Sequence, residues 1–203
     1  MEIKAVAFDY GGVISYPQDG EAMKDMAEMA GIDASLMNQI YWDNRSLYDQ
    51  GQMDGKEYFK NILADVEVHA DSNLLDKLIA RDMESWSHIN PKTEALIQEI
   101  KNSGIKTAIL SNMVKDFLDR VMETLPVYKL FDTGVFSCNV DAVKPEEIIY
   151  HILLSQLDCK AEELVYFDDV EENINAARAI GIQAFLWKDP EAAHDELKSL
   201  KVL

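Results

Sequence analysis

The sequence predicts an α/β fold: a Rossmann-like parallel sheet core with helices on both faces and an inserted α-helical cap. Three observations carry this. Residues 3–8, IKAVAF, form a short apolar run suited to a buried strand; a wholly helical stretch follows from about Glu21 to His88; and after Pro91 short apolar runs alternate with helical periodicity. Such β/α alternation is the pattern of a parallel sheet covered on both sides, whose doubly buried strands need not alternate.

The elements follow in order. The first strand breaks at Asp9, with Gly11 and Gly12 behind it. Asp and Gly are common turn residues, so the break is either a plain turn or a carboxylate set at the carboxyl end of a central strand. The segments EAMKDMAEMAG, SLMNQIYWDN, GKEYFKNILADV and SNLLDKLIARDMESW then space their apolar residues at three and four, which predicts roughly four helices with no strand between them. After Pro91 come a helix TEALIQEIKNSG, a strand IKTAIL, a helix VKDFLDRVMETL and a strand near TGVFS. A helix PEEIIYHILLSQL, a strand ELVYF, a helix EENINAARAIG, a strand IQAFLW and a terminal helix from about Asp189 complete the pattern. The division this implies is a core of residues 1–14 and 89–203 and a helical cap of residues 15–88.

Composition bounds the function classes. The 203 residues are 48% hydrophobic and 28% charged, enough to bury a core as one domain with an insertion. No apolar stretch approaches the roughly 20 residues that span a bilayer, and Asp9 interrupts any signal-like segment. A cytoplasmic protein without a membrane partner is expected. Cys138 and Cys159 lack metal or redox spacing and read as packing residues. The formal charge of -18 argues against nucleic acid, because affinity for a polyanion comes mainly from Lys and Arg. A small phosphate remains compatible where a divalent cation and a few local donors invert the field. The sequence says nothing about oligomeric state.

In open parallel sheets, ligands bind beyond the carboxyl ends of the strands. There stand Asp9, then Ser111 and Asn112, then Asp168 and Asp169, with Lys144 directly before Pro145. Each has a purely structural explanation. Asp169 with Glu172 matches a capping box; Ser111 and Asn112 can cap the helix that begins near Met113; Lys144 can be solvated; and Pro145 suits a first helical position. The adjacent Asp168 is not covered by these, because two neighbouring carboxylates repel unless a cation or donors compensate.

Taken together, Asp9 in FDYGGV, Ser111 in ILSN, Lys144 in VKPE and the pair in FDDVEENI resemble the four motifs of the haloacid dehalogenase superfamily, the aspartate-nucleophile hydrolases. The resemblance covers nearly the whole chain, including the helical insertion and the tail NINAARAIGI. It implies a phosphatase acting on a small phosphorylated metabolite, such as a sugar phosphate, through an aspartyl phosphate on Asp9. The implied cofactor is Mg2+, with Asp9, the Gly11 carbonyl and Asp169 as ligands and Asp168 ligating directly or through water. Ser111 is the implied donor to the phosphoryl oxygens and Lys144 the neutralising cation. Asn112 is the candidate to orient substrate, and Gly12, with Gly11, leaves room for the backbone to approach the transferring group.

In the cap, Arg45 is the candidate partner for a substrate anion. Trp42, Tyr48 and Tyr58 either face the substrate or belong to the core.

One departure stands out. The usual DxDx(T/V) motif has a second aspartate as general acid and base, and this chain has Gly11 there. The proton, generally worth about 10² to 10⁴-fold, must come from water, the substrate or a cap residue. Some relatives with DxGxV and DDxxxN, including bacterial sugar phosphatases, share the glycine. Two other readings stay open: a 2-haloacid dehalogenase, whose halide needs no proton but whose motif carries a serine-rich segment in place of the acidic pair, and a non-catalytic member binding a phosphorylated ligand or a protein.

Overall fold

The computed structural model describes residues 2–203. Five parallel strands run in the order β3-β2-β1-β4-β5: β1 (Ala5–Phe8), β2 (Lys106–Ser111), β3 (Thr133–Phe136), β4 (Leu164–Asp168) and β5 (Gln183–Leu186). The chain leaves central β1, builds outward through β2 and β3, then returns to the other side of β1 for β4 and β5. That reversal opens a crevice at the carboxyl ends of β1, β2 and β4. Register fixes what meets there: Phe8 pairs with both Ile109 and Phe167, so Asp9 and Asp168 leave their strands at the same level.

Both faces of the sheet are buried, and the strand alanines are concentrated on one of them. Ala5, Ala7, Ala108 and Ala184 face α9 (Glu147–Leu157) and α10 (Glu171–Ala179), where their small side chains leave room for Tyr150, Leu153 and Ile174. Val6, Phe8, Ile109, Val165 and Phe167 face the other way, towards α6 (Pro91–Asn102) and α11 (Pro190–Ser199). Each strand therefore keeps its period of two although neither face meets water.

Between β1 and α6 the chain forms α1 (Gly20–Ala30), α2 (Ala34–Asp43), α3 (Arg45–Asp49), α4 (Gly55–Ala64) and α5 (Ser72–Ser85). Asp19, Asp33, Asp54 and Asp71 each accept a hydrogen bond from the first turn of the helix that follows, which explains where α1, α2, α4 and α5 begin. The fifth short helix was not expected from periodicity. Asn44, at φ -110 and ψ 7, breaks SLMNQIYWDN from RSLYD. The two chains joining this insertion to the sheet pair with each other: Ser15 bridges Ile89, and Tyr16 N–H donates to the His88 carbonyl at 2.8 Å. On the far side Asp116 holds the insertion down, accepting from Gly55 N–H at 2.6 Å and from the Tyr48 hydroxyl at 3.3 Å.

Two helix boundaries correct the expectation. The helix expected over VKDFLDRVMETL, α7, covers only Lys115–Arg120 and passes into 3-10 turns. Leu125 is extended because Pro126 follows it. Pro145 is not at a first helical position either, since Glu146 is the cap residue of α9. The short α8 (Ser137–Val140) follows β3 and is closed by Asp141 in the left-handed region. Neither Cys138 nor Cys159 is in a disulfide, and both are partly buried. Among the described residues no helix is long and apolar enough to cross a membrane.

Candidate active site

Beyond the strand ends lies a cavity of about 560 Å³ whose floor is the sheet and whose roof is the helical insertion. Asp9, Gly11, Gly12, Ser111, Asn112, Lys144 and Asp169 line it from below, and Arg45 lines it from above. Asp168 sits just beneath, fully buried.

Lys144 organises the floor. Its Nζ lies 2.7 Å from Asp9 Oδ1 and 2.7 Å from Asp168 Oδ2, and it donates to the Tyr166 hydroxyl at 3.2 Å. Burial alone would lower its pKa, but the two carboxylates outweigh burial and raise it. Asn112 sets the lysine's position. Its Nδ2 donates to the Lys144 carbonyl at 3.0 Å, and its Oδ1 accepts from the Lys144 N–H at 2.8 Å.

The acidic residues divide into two kinds. Asp168 is saturated. Oδ2 takes Lys144, the Tyr166 hydroxyl and Asn173 Nδ2, while Oδ1 takes Val170 N–H at 2.8 Å and Asn173 Nδ2 at 3.1 Å. Burial opposes its charge, but Lys144 and these donors prevail and hold its pKa below the ordinary value. Asp9 and Asp169 lack such a donor set. Burial pushes Asp9 up to about 7 against the pull of Lys144, and burial together with Asp168 raises Asp169. The capping explanation for Asp169 does not hold, because Val170 is the cap residue of α10 and the turn is bound by Asp168 instead. Ser111 and Asn112 likewise do not cap α7, whose cap residue is Val114.

These residues fit a divalent cation. Asp9, Asp168 and Asp169 each offer an oxygen within 4.8 Å of the others, and three carboxylates face a single ammonium. Hard oxygen donors with an uncompensated negative charge are what Mg2+ takes. Asp9, which shares Lys144 with Asp168, and Asp169, which pairs with no ammonium among the described residues, are the two carboxylates without a full donor set.

The two glycines differ. Gly11 has an ordinary backbone, φ -68 and ψ 128, but a Cβ there would come 3.1 Å from the Trp86 indole. A side chain at Gly11, where the superfamily pattern carries an acid, would therefore require the Trp86 ring at the end of α5 to give by a few tenths of an ångström. Gly12 has φ +74, and a Cβ on it would lie 2.4 Å from Asp169 Oδ2. Gly12→Ala is expected to lower stability by about 1–2 kcal/mol through left-handed strain. By displacing Asp169 it should also weaken Mg2+ affinity roughly tenfold or more. Thermal unfolding and metal titration check both, and unchanged affinity would argue against Asp169 as a Mg2+ ligand.

Ser111 ends β2, is buried, and its hydroxyl is held only by the Asn112 carbonyl at 3.4 Å, which leaves it able to turn to a ligand oxygen. In the roof, Tyr58 is fully buried and stacks on Tyr48 at 4.5 Å, so both belong to the core, while Trp42 is 48% exposed at the cavity rim. Sequence reasoning missed Asp82, Asp49, Gln18 and Trp86, which also line the cavity. The signal for Asp82 was present: Leu75, Leu78, Ile79, Asp82 and Met83 share one helical stripe, and an acid on an apolar stripe asks for a partner.

Residues 3–181 match the model of the haloacid dehalogenase-like hydrolases. The chain belongs to this family. It is 22% identical over 192 residues to Phosphatase MT3486 of Mycobacterium tuberculosis, covering 92% of this chain and 88% of that protein. Among solved structures, the magnesium complex of the HAD family enzyme bt-2542 from Bacteroides thetaiotaomicron superposes with a TM-score of 0.78 at 18% identity, over 93% and 94% of the two chains. The L-2-haloacid dehalogenase of Xanthobacter autotrophicus, with chloropropionic acid covalently bound, gives 0.69 at 20% identity over 99% and 84%. Fold likeness at these identities therefore does not separate phosphatase from dehalogenase, and the site chemistry must.

Proposed function

We propose that this hydrolase is a Mg2+-dependent phosphatase of small phosphate monoesters, with the helical insertion as its cap. The observation that carries the reading is the placement of Asp9 and Asp169 beside Lys144 on one cavity floor: a nucleophile, a hard-cation site and an ammonium, all within reach of a phosphoryl group.

Asp9 attacks phosphorus, the ester oxygen departs, and the resulting aspartyl phosphate is hydrolysed by water. Lys144 bears on the charge that accumulates on the phosphoryl oxygens, and the Ser111 hydroxyl donates to one of them. Asn112 acts through Lys144, holding its backbone on both sides. Asp9, Asp169 and the Gly11 carbonyl, with Asp168 behind them, would hold Mg2+, which when bound would supply the positive charge that offsets repulsion between the Asp9 carboxylate and the phosphate. With no acid at position 11, leaving groups that depart without a proton should react fastest.

The acidic pair supports this reading over a haloacid dehalogenase, since attack on a carbon–halogen bond gives Asp169 nothing to do. The measurement is phosphate release from p-nitrophenyl phosphate and from a panel of alkyl phosphates, with Mg2+ and with excess chelator. Hydrolysis that falls at least roughly 10²-fold in chelator is the expected result. Full activity in chelator, or chloride release from 2-chloropropionate with no phosphatase activity, would overturn it.

A further inference from the structure

We propose that the cap selects a phosphate ester whose leaving group is an uncharged, hydroxyl-bearing alcohol, and that Arg45, Asp49 and Asp82 enforce this by leaving the roof of the cavity without a free cation. The inference rests on the phosphatase reading and names its substrate class.

Arg45 and Lys144 are the cations among the described residues that line the cavity. Lys144 is committed to Asp9 and Asp168 on the floor. The Arg45 guanidinium is committed in the roof, with Nε 2.8 Å from Asp49 Oδ1 and Nη1 3.8 Å from Asp82 Oδ2 and also donating to the Tyr41 hydroxyl. Aromatic rings surround it as well: the central carbon lies 4.7 Å from the centre of the Tyr41 ring and 5.1 Å from that of the Tyr48 ring. Asp82 is fixed in turn by the Tyr41 hydroxyl at 2.8 Å and by Gln18 Nε2 at 3.4 Å.

Two carboxylates against one guanidinium make the roof a poor place for an anion. A carboxylate or second phosphate on the leaving group would have to displace Asp49 from Arg45, or sit beside Asp49 and Asp82 in a low-dielectric space. A neutral hydroxyl meets no such conflict, because it can donate to the carboxylate oxygens of the roof without bringing a second negative charge beside them. Trp42 and Trp86, 6.5 Å apart and edge to face, supply an apolar wall for the carbon skeleton. The cavity, at about 560 Å³, is of the size that holds a small metabolite. Arg45 therefore acts as a positioning and specificity group and not as the partner of a substrate anion.

The test compares two substrates of equal carbon number, glucose 6-phosphate and 6-phosphogluconate, with p-nitrophenyl phosphate as the reference. Wild type should favour the neutral member by roughly tenfold or more in kcat/KM. In Asp49→Asn, one of the two carboxylates holding Arg45 loses its charge, and the ratio should shift towards 6-phosphogluconate by several-fold. Because both esters are measured on the same preparation, any loss of folded enzyme cancels. Hydrolysis of p-nitrophenyl phosphate with 6-phosphogluconate equal to or better than glucose 6-phosphate overturns the inference and leaves the phosphatase reading standing. A ratio unmoved by Asp49→Asn removes Arg45 and Asp49 from specificity. No hydrolysis of any of the three is failure of the phosphatase reading itself.

Discussion

Asp9→Asn is expected to lose roughly 10³-fold or more in kcat, with the protein still folded. The amide is nearly isosteric, so the turn between β1 and α1 and its contacts are retained. It is a poor nucleophile and a weaker ligand for a hard cation, so both roles assigned to the carboxylate fail together. Stability should move the other way. With its pKa pushed up to about 7 by burial, Asp9 binds its proton more tightly in the folded chain than in the unfolded one. Without metal, its ionisation therefore costs stability as pH rises from about 4 through about 7, and that cost persists above. The variant has no charge to desolvate there. In chelator at pH 8 its melting temperature should equal or exceed that of wild type, while activity with Mg2+ is lost. Retention of most of the activity would reduce Asp9 to a turn residue or a ligand.

That opposition between folding and function explains why some of the site was legible in the sequence and some was not. An aspartate closing the run IKAVAF, and two more closing ELVYF, are local conflicts: apolar strands end in charge where a small neutral turn residue would fold as well. Such conflicts are visible without coordinates, as was the helical insertion, because periodicity is a local property. The Arg45–Asp49–Asp82 cluster was not visible in the same way. Arg45 and Asp82 lie on different helices, and only the packing of α2, α3 and α5 brings them together. Read singly, Arg45 looked free to bind an anion; its closest carboxylate, Asp49, stands at i,i+4 and was within reach of the sequence, whereas Asp82 joins the cluster only through helix packing. The contact of Asn112 with the backbone of Lys144 was hidden for the same reason, because the two are distant in sequence. The helix ending at Arg120 is a different kind of miss, since Pro126 marks the extended Leu125 but not the break at Val121, five residues earlier.

Lys144→Met should be the more damaging change to the fold. The substitution keeps the length of the stem and removes the ammonium, leaving Asp9 and Asp168 buried side by side with no cation. Removing one partner of a buried ion pair costs about 3–5 kcal/mol, and here one ammonium serves two carboxylates. Measured by denaturant unfolding in chelator, the loss should be largest above pH 7, where Asp9 is ionised in wild type. It should shrink as pH falls and both carboxylates take up protons, because a neutral pair no longer needs the ammonium. Adding Asp168→Asn to Lys144→Met should recover part of the stability, since it removes one of the stranded charges. It should recover none of the turnover, because the phosphoryl group would still lack its cation. Recovery of activity along with stability would mean that Lys144 serves only to hold the acidic strand ends together, and that the charge on the phosphate is met elsewhere.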